Sequence, residues 1–125
     1  MTIKVVDHVN IATERLEETR AFYVDALGLV EGYRPEFSFP GYWLYAGDRP
    51  VVHLQPSNGP VGPSDASALN HFAFDVEDLD GMLARLERLG IPYEVRDIPS
   101  GAGRQAFLED PNGVRLELNF RTPGF

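Results

Sequence analysis

The chain has 125 residues, 43% of them hydrophobic, with 19 acidic against 11 basic side chains, a formal net charge of -8 and no cysteine. This length suffices for one domain that buries roughly two-thirds of its unfolded surface. The charge excludes nucleic acid and anionic membrane as main partners, and the lack of thiols excludes disulfides, thiolate nucleophiles and cysteine-based zinc sites.

In chain order, Val5 to Thr13 alternates as a strand does, and Thr13 to Leu27 places Leu16, Ala21, Phe22 and Leu27 at helical spacing. Thr13, with Glu17 one turn on, is the expected N-cap, and Gly28 the left-handed stop. Strands are predicted at Leu29 to Tyr33, Tyr42 to Ala46 and Val51 to Gln55, with Gly47 to Pro50 turning between the last two. Tyr42, Trp43 and Tyr45 read as core aromatics, although they could line a pocket. The first half is thus βαβββ. Nothing in the chain approaches the roughly 18 apolar residues of a spanning helix, and the Met-Thr-Ile-Lys start lacks the apolar run of a signal peptide, so a cytoplasmic location is expected.

The second half repeats the first. His71 follows His8 by 63 residues, Gly90 follows Gly28 by 62, and the Arg115-Leu116-Glu117-Leu118 run follows Val51-Val52-His53-Leu54 by 64. Module one is read as 3–56, a Pro/Gly/Ser-rich linker as 57–67 and module two as 68–121, all within a single domain, 1–125. Two copies are too few for a solenoid. The expected class is α+β: two βαβββ modules forming a cupped mixed sheet, with helices on its outer face. Glu109 to Val114 reads as a turn with Asn-Gly at its tip.

Because successive side chains of a strand point to opposite faces, each strand divides in two. Val9, Ile11, Val52, Leu54, Phe72, Phe74, Leu116 and Leu118 form apolar faces, while His8, His53, His71 and Glu117 fall on the opposite ones. All three histidines of the chain and one carboxylate therefore occupy repeat-equivalent positions, His8 with His71 and His53 with Glu117. Imidazole and carboxylate are the donors a divalent ion with open coordination positions takes, and strands hold ligands rigidly. The expected site gathers these four about a pseudo-twofold axis, with His53 either a ligand or a neighbour of the ion. Arg115 and Asn119 flank Glu117 and could orient a ligand or substrate.

The runs DHVNI, AFYVDALGL, NHFAFDV and EDPNGVRLEL resemble the vicinal oxygen chelate superfamily, which includes glyoxalase I, extradiol dioxygenases, fosfomycin-resistance transferases and bleomycin-binding proteins, and the likeness covers essentially the whole chain. It implies paired modules around one divalent ion that chelates two neighbouring substrate oxygens, and a homodimer. It also implies His8, His53, His71 and Glu117 as metal residues, with His53 and Glu117 as catalytic candidates. Glyoxalase I commonly carries a glutamate where this chain has His53. The set His8, His71 and Glu117 matches the two-histidine, one-carboxylate iron(II) face of extradiol dioxygenases, so the sequence leans towards oxygen-dependent cleavage of a vicinal diol or catechol. Ring-cleaving members add a further His and Tyr, for which this chain offers only Tyr93. A glyoxalase-like lyase using nickel, cobalt or zinc on a hemithioacetal is the alternative. A fosfomycin-type transferase would need an anion site beyond Arg104 and Arg115, and a bleomycin-type binding protein would lack the metal ligands.

Overall fold

A computed structural model of the chain describes residues 1–124. Two compact units, Met1–Val61 and Gly62 onward, meet within the Pro/Gly-rich linker. The first unit runs β1 (Val9–Thr13), α1 (Leu16–Ala21) with a π-helical turn (Phe22–Ala26), β2 (Val30–Gly32), β3 (Tyr42–Ala46) and β4 (Arg49–Pro56). The second runs β5 (His71–Asp75), α2 (Leu79–Arg88), β6 (Glu94–Ile98), β7 (Gly103–Glu109) and β8 (Arg115–Arg121). Each unit is therefore βαβββ, as the repeat predicts. Hydrogen bonding closes a separate four-stranded mixed sheet in each, ordered β1-β4-β3-β2 and β5-β8-β7-β6.

In both sheets the first strand lies parallel to the last, Val9 opposite Val52 and His71 opposite Arg115, and the remaining pairs are antiparallel. The parallel pairing is possible because a helix intervenes between the paired strands. Helix α1 packs on β4 and α2 on β8. Of the apolar faces that alternation predicts, Ile11, Val52, Leu54, Leu116 and Leu118 are buried, while Val9, Phe72 and Phe74 are half-buried; Leu44, Ala106 and Leu108 complete the buried faces. Helix α2 sends Leu79 and Leu86 inward, and the Asp78 carboxylate accepts the Gly81 N–H at 2.9 Å to cap its start. Gly28 and Gly90 end the helices at φ 78° and 69°, a conformation that costs glycine little. No helix among the described residues is long and apolar enough to cross a membrane.

Several local expectations shift. Pairing in β1 begins at Val9 rather than Val5, leaving Val5 and Val6 exposed. Thr13 does not cap α1: it ends β1, where its hydroxyl accepts the Arg15 N–H at 2.8 Å and meets the Thr19 hydroxyl at 3.1 Å. This buried hydroxyl pair turns Thr19 inward, so the buried side of the helical segment passes through Thr19, Tyr23, Ala26 and Leu27 instead of Ala21 and Phe22. Hydrophobicity alone could not reveal a face built on paired hydroxyls.

The loop between β3 and β4 is only Gly47 and Asp48, and Arg49 already pairs with Ala46. A bulge between Leu44 and Tyr45 leaves Val51 without a direct partner, while Trp43 stays opposite His53. The aromatic strand is consequently not all core. Leu44 is fully buried, whereas Tyr42, Trp43 and Tyr45 are half-buried, and the pleat places Trp43 on the face of His53. In the turn before β8, the buried Asp110 carboxylate accepts the N–H groups of Asn112 and Val114 at 2.8 and 2.9 Å.

Since the two sheets bury equivalent faces, Leu44→Ala and Leu116→Ala should each lower the free energy of unfolding by about 2–5 kcal/mol in denaturant titrations. A loss below about 1 kcal/mol at either position would show that its face is not the packed one.

Candidate functional site

The first unit brings His8 and His53 together. His53 is held by β4, and His8 immediately precedes β1, the strand parallel to it. Their rings stack with centroids 3.8 Å apart and planes 11° from parallel. Trp43 covers the other face of His53, at 4.1 Å and 10°. Each imidazole has one nitrogen fixed. His8 Nδ1 lies 2.7 Å from Asp7 Oδ2, and His53 Nε2 lies 3.0 Å from the Pro50 carbonyl oxygen. A carbonyl only accepts, so in the neutral ring the proton sits on Nε2 of His53 and the lone pair on Nδ1. Pro50 lies three residues before His53, beside the bulge that interrupts the β3–β4 register.

Burial depresses the His53 pKa below the ordinary histidine value, and the neighbouring charge of His8 depresses it further. The imidazole is therefore neutral at pH 7 and able to donate its lone pair or accept a proton. The hydrogen bond to His8, in turn, holds the Asp7 carboxyl below its usual range.

The second unit pairs His71 with Glu117. These residues sit on β5 and β8, with Ala73 directly opposite Glu117, and His71 Nε2 lies 3.2 Å from Glu117 Oε2. Glu117 is only 6% exposed, a costly position for a carboxylate unless its oxygens are engaged. Gln105, on β7, donates to its Oε1 at 2.5 Å. His71 Nδ1 meets the Asn70 side-chain oxygen at 2.8 Å, repeating the arrangement of His8 on Asp7. Phe107 stands opposite Glu117 as Trp43 stands opposite His53, and meets His71 edge-on at 6.2 Å. Arg115 lies over the Phe107 ring at 4.7 Å, and Asn119 keeps a buried Oδ1 without a hydrogen-bond partner among the described residues.

Among the described residues no group of three or more His, Asp or Glu side chains stands together as a metal site; within each unit a pair meets, His8 with His53 and His71 with Glu117. In every histidine one nitrogen is held by an oxygen acceptor, from Asp7, Pro50 or Asn70. Imidazoles that bind metals are oriented in this way, with the opposite nitrogen left for the ion. Imidazole and carboxylate are the donor types that a divalent cation takes. Asp7 and Asn70 were legible as repeat equivalents, 63 residues apart, but the role of each depends on a side-chain contact that spacing does not state. Gln105 gave no signal, because only the β7–β8 register brings it to Glu117.

Residues 5–118 match the family model described as Glyoxalase/Bleomycin resistance protein/Dioxygenase superfamily. Over 125 aligned positions the chain is 30% identical to Glyoxylase I 4 of Arabidopsis thaliana, with 90% of this chain and 68% of that protein covered. It is 25% identical to the lactoylglutathione lyase of Salmonella typhimurium, with 89% of this chain and 88% of that one covered. The crystal structure of a glyoxalase family protein from Enterococcus faecalis superimposes with a TM-score of 0.73 at 32% identity, covering 95% of this chain and 99% of that one. With its repeated βαβββ units and a family match across nearly its whole length, the chain belongs to the Glyoxalase/Bleomycin resistance protein/Dioxygenase superfamily.

Proposed function

We propose that this chain is a divalent-metal-dependent enzyme that isomerises a small substrate with two adjacent oxygens, moving a proton between neighbouring carbons as a glyoxalase-like lyase does on a hemithioacetal. The observation that carries the reading is the set of three imidazoles, each with one nitrogen already held by an oxygen. Similarity to a lactoylglutathione lyase agrees with it. His8 and His71, through Nε2, and the Glu117 carboxylate would hold the ion, with His53 as fourth donor or as the group that moves the proton. When bound, a divalent ion supplies Lewis-acid polarisation of the two substrate oxygens.

The chain's own residues do the rest. Asp7 and Asn70 set the tautomer and ring orientation of His8 and His71, and Gln105 fixes the buried Glu117 carboxylate. His53 stays neutral through burial and, with its Nε2–H given to Pro50, offers Nδ1 as the base that takes a proton from one carbon and returns it to the next. Trp43 and His8 shield both faces of that ring and hold its orientation. The transfer needs no oxidant. We further propose that the two units act as one domain and that the chain works as a homodimer.

One observation favours a second reading. His8, His71 and Glu117 are the two-histidine, one-carboxylate set of non-haem iron(II) oxygenases, and on that basis the chain would cleave a catechol or vicinal diol with dioxygen. Against it, Tyr93 already donates its hydroxyl to Glu87 at 2.7 Å.

Turnover of methylglyoxal plus glutathione with nickel, cobalt or zinc is expected above the buffer rate; oxygen uptake on catechols with iron(II), without such turnover, would replace the isomerase by the dioxygenase. Glu117→Gln should weaken metal binding by about 10- to 100-fold or more, measured by competition with a chromophoric chelator, and unchanged binding would remove Glu117 from the ligand set. His53→Gln should lower kcat by about 100-fold or more while the metal stays bound; a large loss of metal with it would make His53 a ligand instead.

The depressed pKa of His53 also gives a signed pH dependence. The folded chain binds this proton less readily than the unfolded chain, so the stability it contributes is complete above the unfolded value near 6.5 and is lost as pH falls through the lower folded value. In metal-free protein the fluorescence of Trp43, the single tryptophan, should titrate with a midpoint below 6.5, and the step should vanish in His53→Gln. A midpoint at or above 6.5 would show that burial does not hold His53 neutral.

A further inference from the structure

The segment joining β2 to β3, Tyr33 to Gly41, reads YRPEFSFPG and encloses a cavity of about 170 Å³ with the strands beside it. Arg34, Phe37, Phe39, Trp43, His53 and Asn10 are among its lining residues. Aromatic contacts make its wall continuous: Phe37 lies 5.4 Å from Phe39 and 6.2 Å from Trp43, and Trp43 stacks on His53. The segment is anchored at its start, where the Tyr45 hydroxyl donates to the Tyr33 carbonyl at 2.6 Å. At its end a Cβ on Gly41 would come within 2.3 Å of the Leu54 carbonyl oxygen and 2.9 Å of Arg34 Nη2, so the missing side chain makes the space that the guanidinium occupies.

Arg34 is unlike the paired arginines of this acidic chain. Arg20, Arg96, Arg104 and Arg121 each lie within 4.0 Å of a carboxylate oxygen. Arg34 has no such ion pair among the described residues: its guanidinium lies over Phe37 at 4.7 Å and Phe39 at 5.1 Å. Its Nε is buried without a hydrogen-bond partner among the described residues. A guanidinium that lines a cavity without a carboxylate partner leaves its charge for an anionic occupant to balance. A guanidinium presents its donors as a planar fork that fits two carboxylate oxygens.

We propose that Arg34, walled by Phe37, Phe39 and Trp43, is a specificity subsite for a carboxylate carried on an apolar group of about one ring, at the end of the substrate away from its reacting oxygens. Volume sets the apolar part, since a cavity of about 150 Å³ accommodates one benzene ring. Charge sets the anion: Arg34 is the one cationic side chain among the described residues lining the cavity, enough to balance a monoanion and too little for a phosphonate dianion. The shared wall with His53 places the subsite next to the group read above as the base. The inference rests on that reading only for the direction of the reacting end; the anion subsite stands on Arg34 and its aromatic walls.

Trp43 reports on the cavity directly, because it is the only tryptophan of the chain. The test titrates chelator-treated full-length protein with benzoate, benzamide and phenylphosphonate, following Trp43 fluorescence. Benzoate is expected to bind saturably and about 10- to 100-fold more tightly than benzamide, the range for a hydrogen-bonded charge, and more tightly than phenylphosphonate. Arg34→Gln should abolish the preference for benzoate over benzamide, and Arg34→Lys, which keeps charge but loses the fork, should retain only part of it; thermal melts verify that both variants fold. Equal binding of benzoate and benzamide, no binding of any probe, or a preference surviving in Arg34→Gln would overturn the subsite, and tighter phenylphosphonate binding would overturn the carboxylate assignment. Because no metal is present, a failure here is separate from a failure of the metal-enzyme reading, which the turnover assays decide.

Discussion

A strand in a packed sheet buries one face, and whatever it places on the other is set by a period of two residues. In β4 and β8 this rule is absolute in its effect: Val52 and Leu54, or Leu116 and Leu118, are fully buried, and His53 or Glu117 stands between them on the opposite face. A register slip of one residue would move an imidazole or carboxylate into the hydrocarbon under a helix, where neither could be satisfied. The core therefore holds the chemistry in place. The same constraint, applied twice by the repeat, places each candidate donor beside the strand that carries its partner.

Around those donors the chain arranges oxygen acceptors with economy. Asp7 and Asn70 are each the residue before a histidine, and each holds Nδ1 of its neighbour; His53 takes the main-chain carbonyl of Pro50. The acceptors differ in charge, from carboxylate to amide to carbonyl, within one common geometry. His53 differs further. Stacked between His8 and Trp43 and partly buried, it has a pKa held below the ordinary histidine value, a property suited to a base that must release what it accepts. The Arg34 cavity adjoins the same stack, so binding and proton transfer would share one aromatic wall.

Much of this was legible in the sequence because it follows from periodicity. The βαβββ repeat, the glycine stops at Gly28 and Gly90, the apolar strand faces and the equivalence of His8 with His71 and of His53 with Glu117 are all one-dimensional patterns. What escaped depends on partners distant in sequence or on hydroxyl chemistry. Thr13 looks like a helix cap until Thr19 is known to meet it, and β3 looks like core until its register with β4 sets Trp43 on the imidazole face. Gln105 and Arg34 carry no local signature. The lean towards dioxygenase chemistry rested on ligand identity, which the isomerase reading shares, and residue type alone does not separate the two.

The proposal that everything else serves is that His8, His71 and Glu117 ligate one divalent ion. X-ray absorption spectroscopy of the cobalt-loaded chain tests it most directly. The expected spectrum has a first shell of nitrogen and oxygen near 2.0–2.1 Å, the range for such ligands, with outer-shell scattering from at least two imidazoles, one of which disappears in His8→Gln and one in His71→Gln. A first shell of oxygen alone, or imidazole scattering that survives both substitutions unchanged, would contradict it.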